Sequence, residues 1–226
     1  SSNQALQKAK RLFNAKKAGH TGSLDVLASG MLPICFGEAT KFSQYLLNAN
    51  KIYETSAVLG QKSETGDAEG EIICERPVPD LTRELLETIL APFRGETWQT
   101  PSMYSALKHE GQPLYKLARQ GITVERKPRL IRVDELILQD FSNQSLTLRV
   151  ACSKGTYIRN LVEDIGEALG CGAYVSQLHR VQVADFKADA MLSLSTLEAY
   201  SQTEKAACLL PMDRALSHFP SLNLPL

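Results

Sequence analysis

Residues 19–30, GHTGSLDVLASG, constrain this chain more than any other stretch. Gly19, Gly22 and Gly30 bracket a segment too rich in glycine for regular structure, while Leu24, Val26 and Leu27 make it too apolar for a free linker. The combination predicts an ordered loop tucked against the core. Asp25 stands at its centre, the one acidic residue between positions 1 and 37, with His20, Thr21 and Ser23 beside it. By position alone such a residue is a turn or helix cap. Among small residues and basic flanks it can also approach a sugar or base closely. A nucleophilic carboxylate there needs no cofactor to form a covalent intermediate at an anomeric or electron-poor carbon.

Around this loop the hydrophobic spacing sets out a mixed architecture. Ala5, Leu6, Ala9, Leu12 and Phe13 predict an amphipathic helix over 3–18, capped by Ser2 or Asn3. A strand is expected at 31–37, a helix at 39–47, a strand at 51–59 and a turn-rich acidic segment at 61–71. A helix at 81–93, a strand pair at 131–138 and 145–152, and a helix at 156–169 closed by Gly170 follow. Helices and strands interleave without the even alternation of a doubly wound sheet, so the fold class expected is α+β, with a mixed, largely antiparallel central sheet flanked by helices and loops. Beyond about 208 the chain becomes Pro-punctuated and aperiodic, like a domain exit.

The 226 residues suit one large domain or one domain and a fragment. The content, 43% hydrophobic and 22% charged, is that of a globular chain. A net charge of zero argues on its face against a nucleic-acid partner. Charge is blocked, however: residues 1–50 and 101–130 each carry six basic and two acidic side chains (net +4), whereas 51–100 carry five and ten (−5) and 131–226 eight and eleven (−3). Two basic blocks that meet in the fold would neutralise a phosphate backbone; the bland alternative is the solvated faces of ordinary helices. The five cysteines include no CxxC and the four histidines are scattered, so neither a disulfide framework nor a zinc site has its spacing, and no metal is expected. No apolar run approaches the roughly 18 residues that span a bilayer, and no signal-peptide pattern opens the chain, which fits a cytoplasmic protein with no membrane contact. Read alone, Tyr53 is core filler with its hydroxyl at the rim, and Arg159 in CSKGTYIRN at 152–160 is a surface helix charge.

The string KRLFNAKKAGHTGSLDVLASGMLPICFGEATKFSQYLL at 10–47 closely resembles the signature region of the TruB family, bacterial tRNA pseudouridine-55 synthases. PSMYSALKHEGQPLYKLARQG at 101–121 resembles the family's RNA-gripping insertion, CSKGTYIRNLVEDIGEALGCGA at 152–173 its arginine-bearing motif, and NLPL at 223–226 the entry to its C-terminal domain. The resemblance covers essentially the whole chain in register.

That resemblance implies the pseudouridine synthase fold, with residues 1–210 as the catalytic domain, an insertion at about 101–130, and 211–226 as an exit towards a C-terminal PUA domain. It implies that Asp25 is the catalytic aspartate, that Tyr53 stacks on the target uracil and takes part in late proton removal, and that Arg159 pairs with the aspartate. His20 falls on a histidine associated with the flipped-out nucleotide, and Leu178 on a leucine that walls the pocket. Lys41, Asp67 and Tyr157 fall within family motifs as RNA-binding or loop-organising residues. The partner implied is the T stem-loop of tRNA, the reaction isomerises uridine 55 by base flipping without any cofactor, and a monomer is expected. The alternative function is a tRNA-binding or tRNA-folding module in which modification is secondary; an RNA N-glycosidase using the same carboxylate is weaker.

Where the family pattern reads GALDPLATG this chain has Ser23, Val26 and Ser29, and where it reads an LRR-type run this chain has Leu178-His179-Arg180. Losing the proline removes a fixed φ beside Asp25, which implies a less rigid loop rather than lost activity. The family's opening strand with its DKPxGxS stretch and its PUA domain are not matched within these residues.

Overall fold

The computed structural model describes residues 1–217 and 219–220. In chain order the elements are α1 (Ser2–Leu12), β1 (Ala18–His20), β2 (Ser29–Gly30), β3 (Ile34–Phe36), α2 (Ser43–Asn48), β4 (Lys51–Leu59), β5 (Gln61–Ser63), β6 (Ile72–Glu75), α3 (Arg83–Leu90) and β7 (Gly95–Gln99). There follow β8 (Lys108–His109), β9 (Gln112–Pro113), α4 (Leu114–Ala118), β10 (Arg129–Ser142), β11 (Ser145–Cys152), α5 (Ile158–Ala168), β12 (Ala173–Val183), α6 (Leu194–Ala199) and α7 (Gln202–Ala207). They group into two compact units, one of Ser1–Ile52 with His179–Leu226 and the other of Tyr53–Leu178. The mixed α+β class expected from the sequence is the class observed.

In the first unit, α1 starts at a capping box in which Ser1 and Gln4 satisfy each other's backbone, and Lys10 and Arg11 complement the dipole at its other end. Leu6 and Ala9 are its buried face. The helix ends at Leu12 rather than near 18, because Asn14 takes a left-handed φ of 47° and the chain then enters β1. β1 pairs antiparallel with β3, His20 opposite Ile34, and the Phe13 and Phe36 rings meet at 4.9 Å. β2 pairs parallel with the end of β12, Ser29 opposite His179 and Gly30 opposite Arg180. The run expected as one strand at 31–37 is therefore reduced to β3, and the ends of the expected loop are strands.

In the second unit, β12, β4, β11, β10 and β7 lie side by side in that order. β10 and β11 form a long hairpin closing at Ser142 and Ser145. Their alternation buries Val133, Leu136 and Leu138 against Leu146, Leu148 and Val150, each such side chain contributing about 1.5–3 kcal/mol on leaving water. α3 packs on β10 and α5 and buries Leu86 and Leu90, while α5 buries Ile158, Leu161, Val162 and Ile165. Gly166 lets α5 lie against the start of β12, since a Cβ there would come 2.2 Å from the Ala173 nitrogen.

Part of the expected exit segment is ordered: Met212–Leu216 is a 3-10 turn, while NLPL at 223–226 lies outside the described residues. Among the described residues no helix is long and apolar enough to cross a membrane.

Candidate active site

Asp25 sits half-buried in the loop between β1 and β2, and its carbonyl accepts from the Ala28 N–H at 3.1 Å. Ser2, buried at the start of α1, holds the preceding residue from both sides. Its Oγ accepts from the Leu24 N–H at 2.7 Å and donates to the Leu24 carbonyl at 3.3 Å. Arg180, from β12, donates through Nε to the Met31 carbonyl at 2.7 Å and through Nη2 to the Gly22 carbonyl at 3.1 Å. Ser29 Oγ meets His179 Nδ1 at 2.8 Å. Gly30, at φ 96°, lies so close to Arg180 that a Cβ would come 2.4 Å from its carbonyl oxygen.

Asp25 also borders an apolar cavity of about 650 Å³, shared with Leu24, Val26, Met31, Leu192 and Leu210. Val26, next to Asp25, is 72% exposed. His20 ends β1, and burial, then the Arg180 charge, lower its pKa, so the imidazole is neutral at pH 7. Lys41 is exposed and pairs with Glu38 one turn earlier, an arrangement with little energetic weight at the surface.

In the second unit Arg159 is the second residue of α5 and is 3% exposed. Its Nη1 donates to the Thr65 carbonyl at 2.8 Å and lies 3.4 Å from Asp67 Oδ2, and its Nη2 donates to the Tyr104 carbonyl at 2.9 Å. Asp67 is itself fixed: Oδ1 accepts from the Thr65 hydroxyl and from the Glu69 N–H at 3.1 Å, and the neighbouring Ala68 N–H bonds the Val175 carbonyl of β12 at 2.9 Å. A buried carboxylate and guanidinium survive desolvation only when the remaining donors and acceptors are met in this way.

Tyr157 caps α5. The Gln99 side chain takes its N–H at 2.8 Å and donates to its carbonyl at 3.0 Å, and the Arg129 guanidinium lies 4.8 Å over its ring. Glu163, one turn beyond Arg159, carries a pKa pushed up to about 7 by burial. Tyr53 is half-buried near the start of β4, and Leu178 is buried on β12.

His20, Asp25 and Lys41 thus belong to the first unit, and Tyr53, Asp67, Tyr157, Arg159 and Leu178 to the second. Asp67 and Arg159, far apart in sequence, are brought into one buried pair. Sequence reasoning passed over Ser2 and Arg180, whose side chains hold the Asp25 loop; neither stood out by spacing or composition.

Comparison with known proteins gives a consistent result. The model described as TruB family pseudouridylate synthase (N terminal domain) matches residues 10–158, and that described as tRNA pseudouridylate synthase B C-terminal domain matches 159–217. A tRNA pseudouridine synthase B of Coxiella burnetii is 58% identical over 227 residues, covering 99% of this chain and 74% of the relative. One from Marinomonas sp. is 55% identical over 228 residues, covering 100% and 74%. Among solved structures, a Cbf5-Nop10-Gar1 complex superposes with a TM-score of 0.75 at 27% identity, over 97% of this chain and 59% of that one. An H/ACA RNP bound to a substrate RNA containing 2'-deoxyuridine superposes with a TM-score of 0.71 at 25% identity, over 97% and 58%.

Proposed function

The chain belongs to the TruB family of pseudouridylate synthases, an isomerase family, and from that premise we propose that it isomerises uridine 55 in the T loop of tRNA to pseudouridine. The observation that carries this is the 58% identity, over 99% of the chain, to a relative named tRNA pseudouridine synthase B. The likeness to a complex holding a substrate RNA with 2'-deoxyuridine supports an RNA substrate presented as a uridine.

The reaction breaks the bond from N1 to C1′, turns the base and joins C5 to C1′. The C5 proton is lost and N1 gains one, so the composition of the nucleotide is unchanged. An ionised Asp25 drives the detachment, and its loop supplies a small, glycine-lined approach to the sugar. The target uridine must first leave its stack, at a cost of a few kcal/mol. Stacking on Tyr53 and contacts from the basic segments at 1–50 and 101–130 offset that cost. Leu178 walls the base, and Tyr53 assists proton removal from C5. Neutral His20 lies beside the flipped nucleotide without adding charge. Arg159 supplies the positive charge that favours the ionised aspartate, and Asp67 fixes the guanidinium for that task. Lys41 and Tyr157 serve RNA binding.

On this proposal the enzyme acts as a monomer in the cytoplasm without a cofactor, with residues 1–210 as the catalytic domain and 101–130 as the RNA-gripping insertion. Incubation with an unmodified T-arm transcript, followed by mapping of pseudouridine, tests it. Product at the position of uridine 55 is expected, and the absence of product at any uridine refutes it.

A further inference from the structure

The Asp25 loop is shaped largely by groups that reach it from outside. Arg180 does so at both of its ends, because one planar fork spans the carbonyls of Gly22 and Met31, at 3.1 and 2.7 Å. Its backbone takes part as well: the Met31 N–H donates to the Arg180 carbonyl at 2.7 Å, and Gly30 leaves no room for a side chain against it. The residue is 1% exposed, and among the described residues no carboxylate pairs with its guanidinium. A buried cation without a counter-ion is an expensive way to satisfy two neutral carbonyls. The rigid fork is what a lysine or an amide does not reproduce, since two acceptors on either side of a loop need donors held at a fixed separation.

We propose that Arg180 is a positioning residue for the isomerisation: its fork holds the two ends of the loop together, so that Asp25 is presented in one geometry. This rests on the assignment of Asp25 as the catalytic carboxylate. Small displacements of a catalytic group carry large rate penalties, whereas RNA binding through the basic segments does not depend on the loop's internal geometry.

The test compares R180K and R180M with the unaltered chain on an unmodified T-arm transcript, with thermal unfolding recorded for each. Both variants are expected to lose about 100-fold in kcat while KM stays within about twofold, the split of a group that acts on the chemical step. R180K retains the charge but not the fork and does not restore the rate. In R180A, added methylguanidinium restores turnover and methylammonium does not, a rescue that a purely structural loss would not show. An unaltered kcat in R180K or R180M overturns the proposal, as does a loss confined to KM. If R180M does not fold, R180K carries the test; if neither folds, Arg180 is a folding residue and the proposal fails. D25N is assayed in parallel: product from D25N refutes the role of Asp25, whereas inactive D25N beside fully active Arg180 variants refutes only the role of Arg180.

Discussion

Asp67 Oδ2 lies 3.4 Å from Arg159 Nη1, with both side chains buried and every remaining oxygen of the carboxylate engaged by Thr65 and Glu69. Removing the Asp67 carboxylate takes a counter-charge from a buried guanidinium and the acceptor from the Thr65 hydroxyl and the Glu69 N–H. Asp67→Ala should therefore destabilise the chain by about 3–5 kcal/mol in urea unfolding. The double variant Asp67→Ala/Arg159→Met should lose less than the two single changes together, because both single changes remove the same interaction. Additive losses would show that the pair is not coupled.

Glu163 titrates in the opposite sense to an ordinary surface carboxylate. Burial lifts its pKa from 4.5 to about 7, with Asp164 and Glu167 adding to the rise and Lys62 and Arg159 opposing it. The folded state therefore holds this proton more tightly than the unfolded chain. The contribution is fully present below pH 4.5 and is lost as pH rises towards 7. Glu167, held down to about 2 by Arg76 and Lys62, has the opposite sign and acts below pH 4.5, outside that window. His20, with its pKa lowered from 6.5, works in the opposite direction in this window, so the test is the difference between chains: in urea unfolding between pH 5 and 7.5, the stability of the unaltered chain relative to Glu163→Gln should fall as pH rises. A difference between the two chains that does not change with pH would contradict the role of Glu163.

Gly30→Ala tests the approach of the loop to β12. The residue holds φ at 96° and its new Cβ would meet the Arg180 carbonyl at 2.4 Å. Strain alone costs about 1–2 kcal/mol, and the close contact adds to it. Thermal unfolding should fall accordingly, with turnover falling further than RNA affinity. Gly121→Ala is the control for φ alone, since it too has a positive φ but nothing lies within 4 Å of its Cβ.

The elements legible in the sequence were those with one clean periodicity. β4, the β10–β11 hairpin and α5 lie where alternation or helical spacing put them. β12 was missed because its inward positions include Arg180 and its sequence mixes Ser176, Gln177 and His179 with apolar residues. β7 was missed because its largest side chain, Trp98, points outwards at 68% exposure, the reverse of the usual signal. In the site, the Asp25 loop was legible from its glycines and its isolated acid. The burial of Asp67 against Arg159 was not, since periodicity carries no information about pairs so distant in the chain. Ser2 was read as a helix cap, yet Ser1 caps α1 and Ser2 holds the loop instead.

The central claim, that the Asp25 carboxylate carries the chemistry, is tested most directly by Asp25→Asn, which keeps the shape of the side chain and removes its charge. Single-turnover assays on an unmodified T-arm transcript should show RNA binding retained and no pseudouridine formed. Pseudouridine at the target uridine, produced by this variant at a measurable rate, would contradict it.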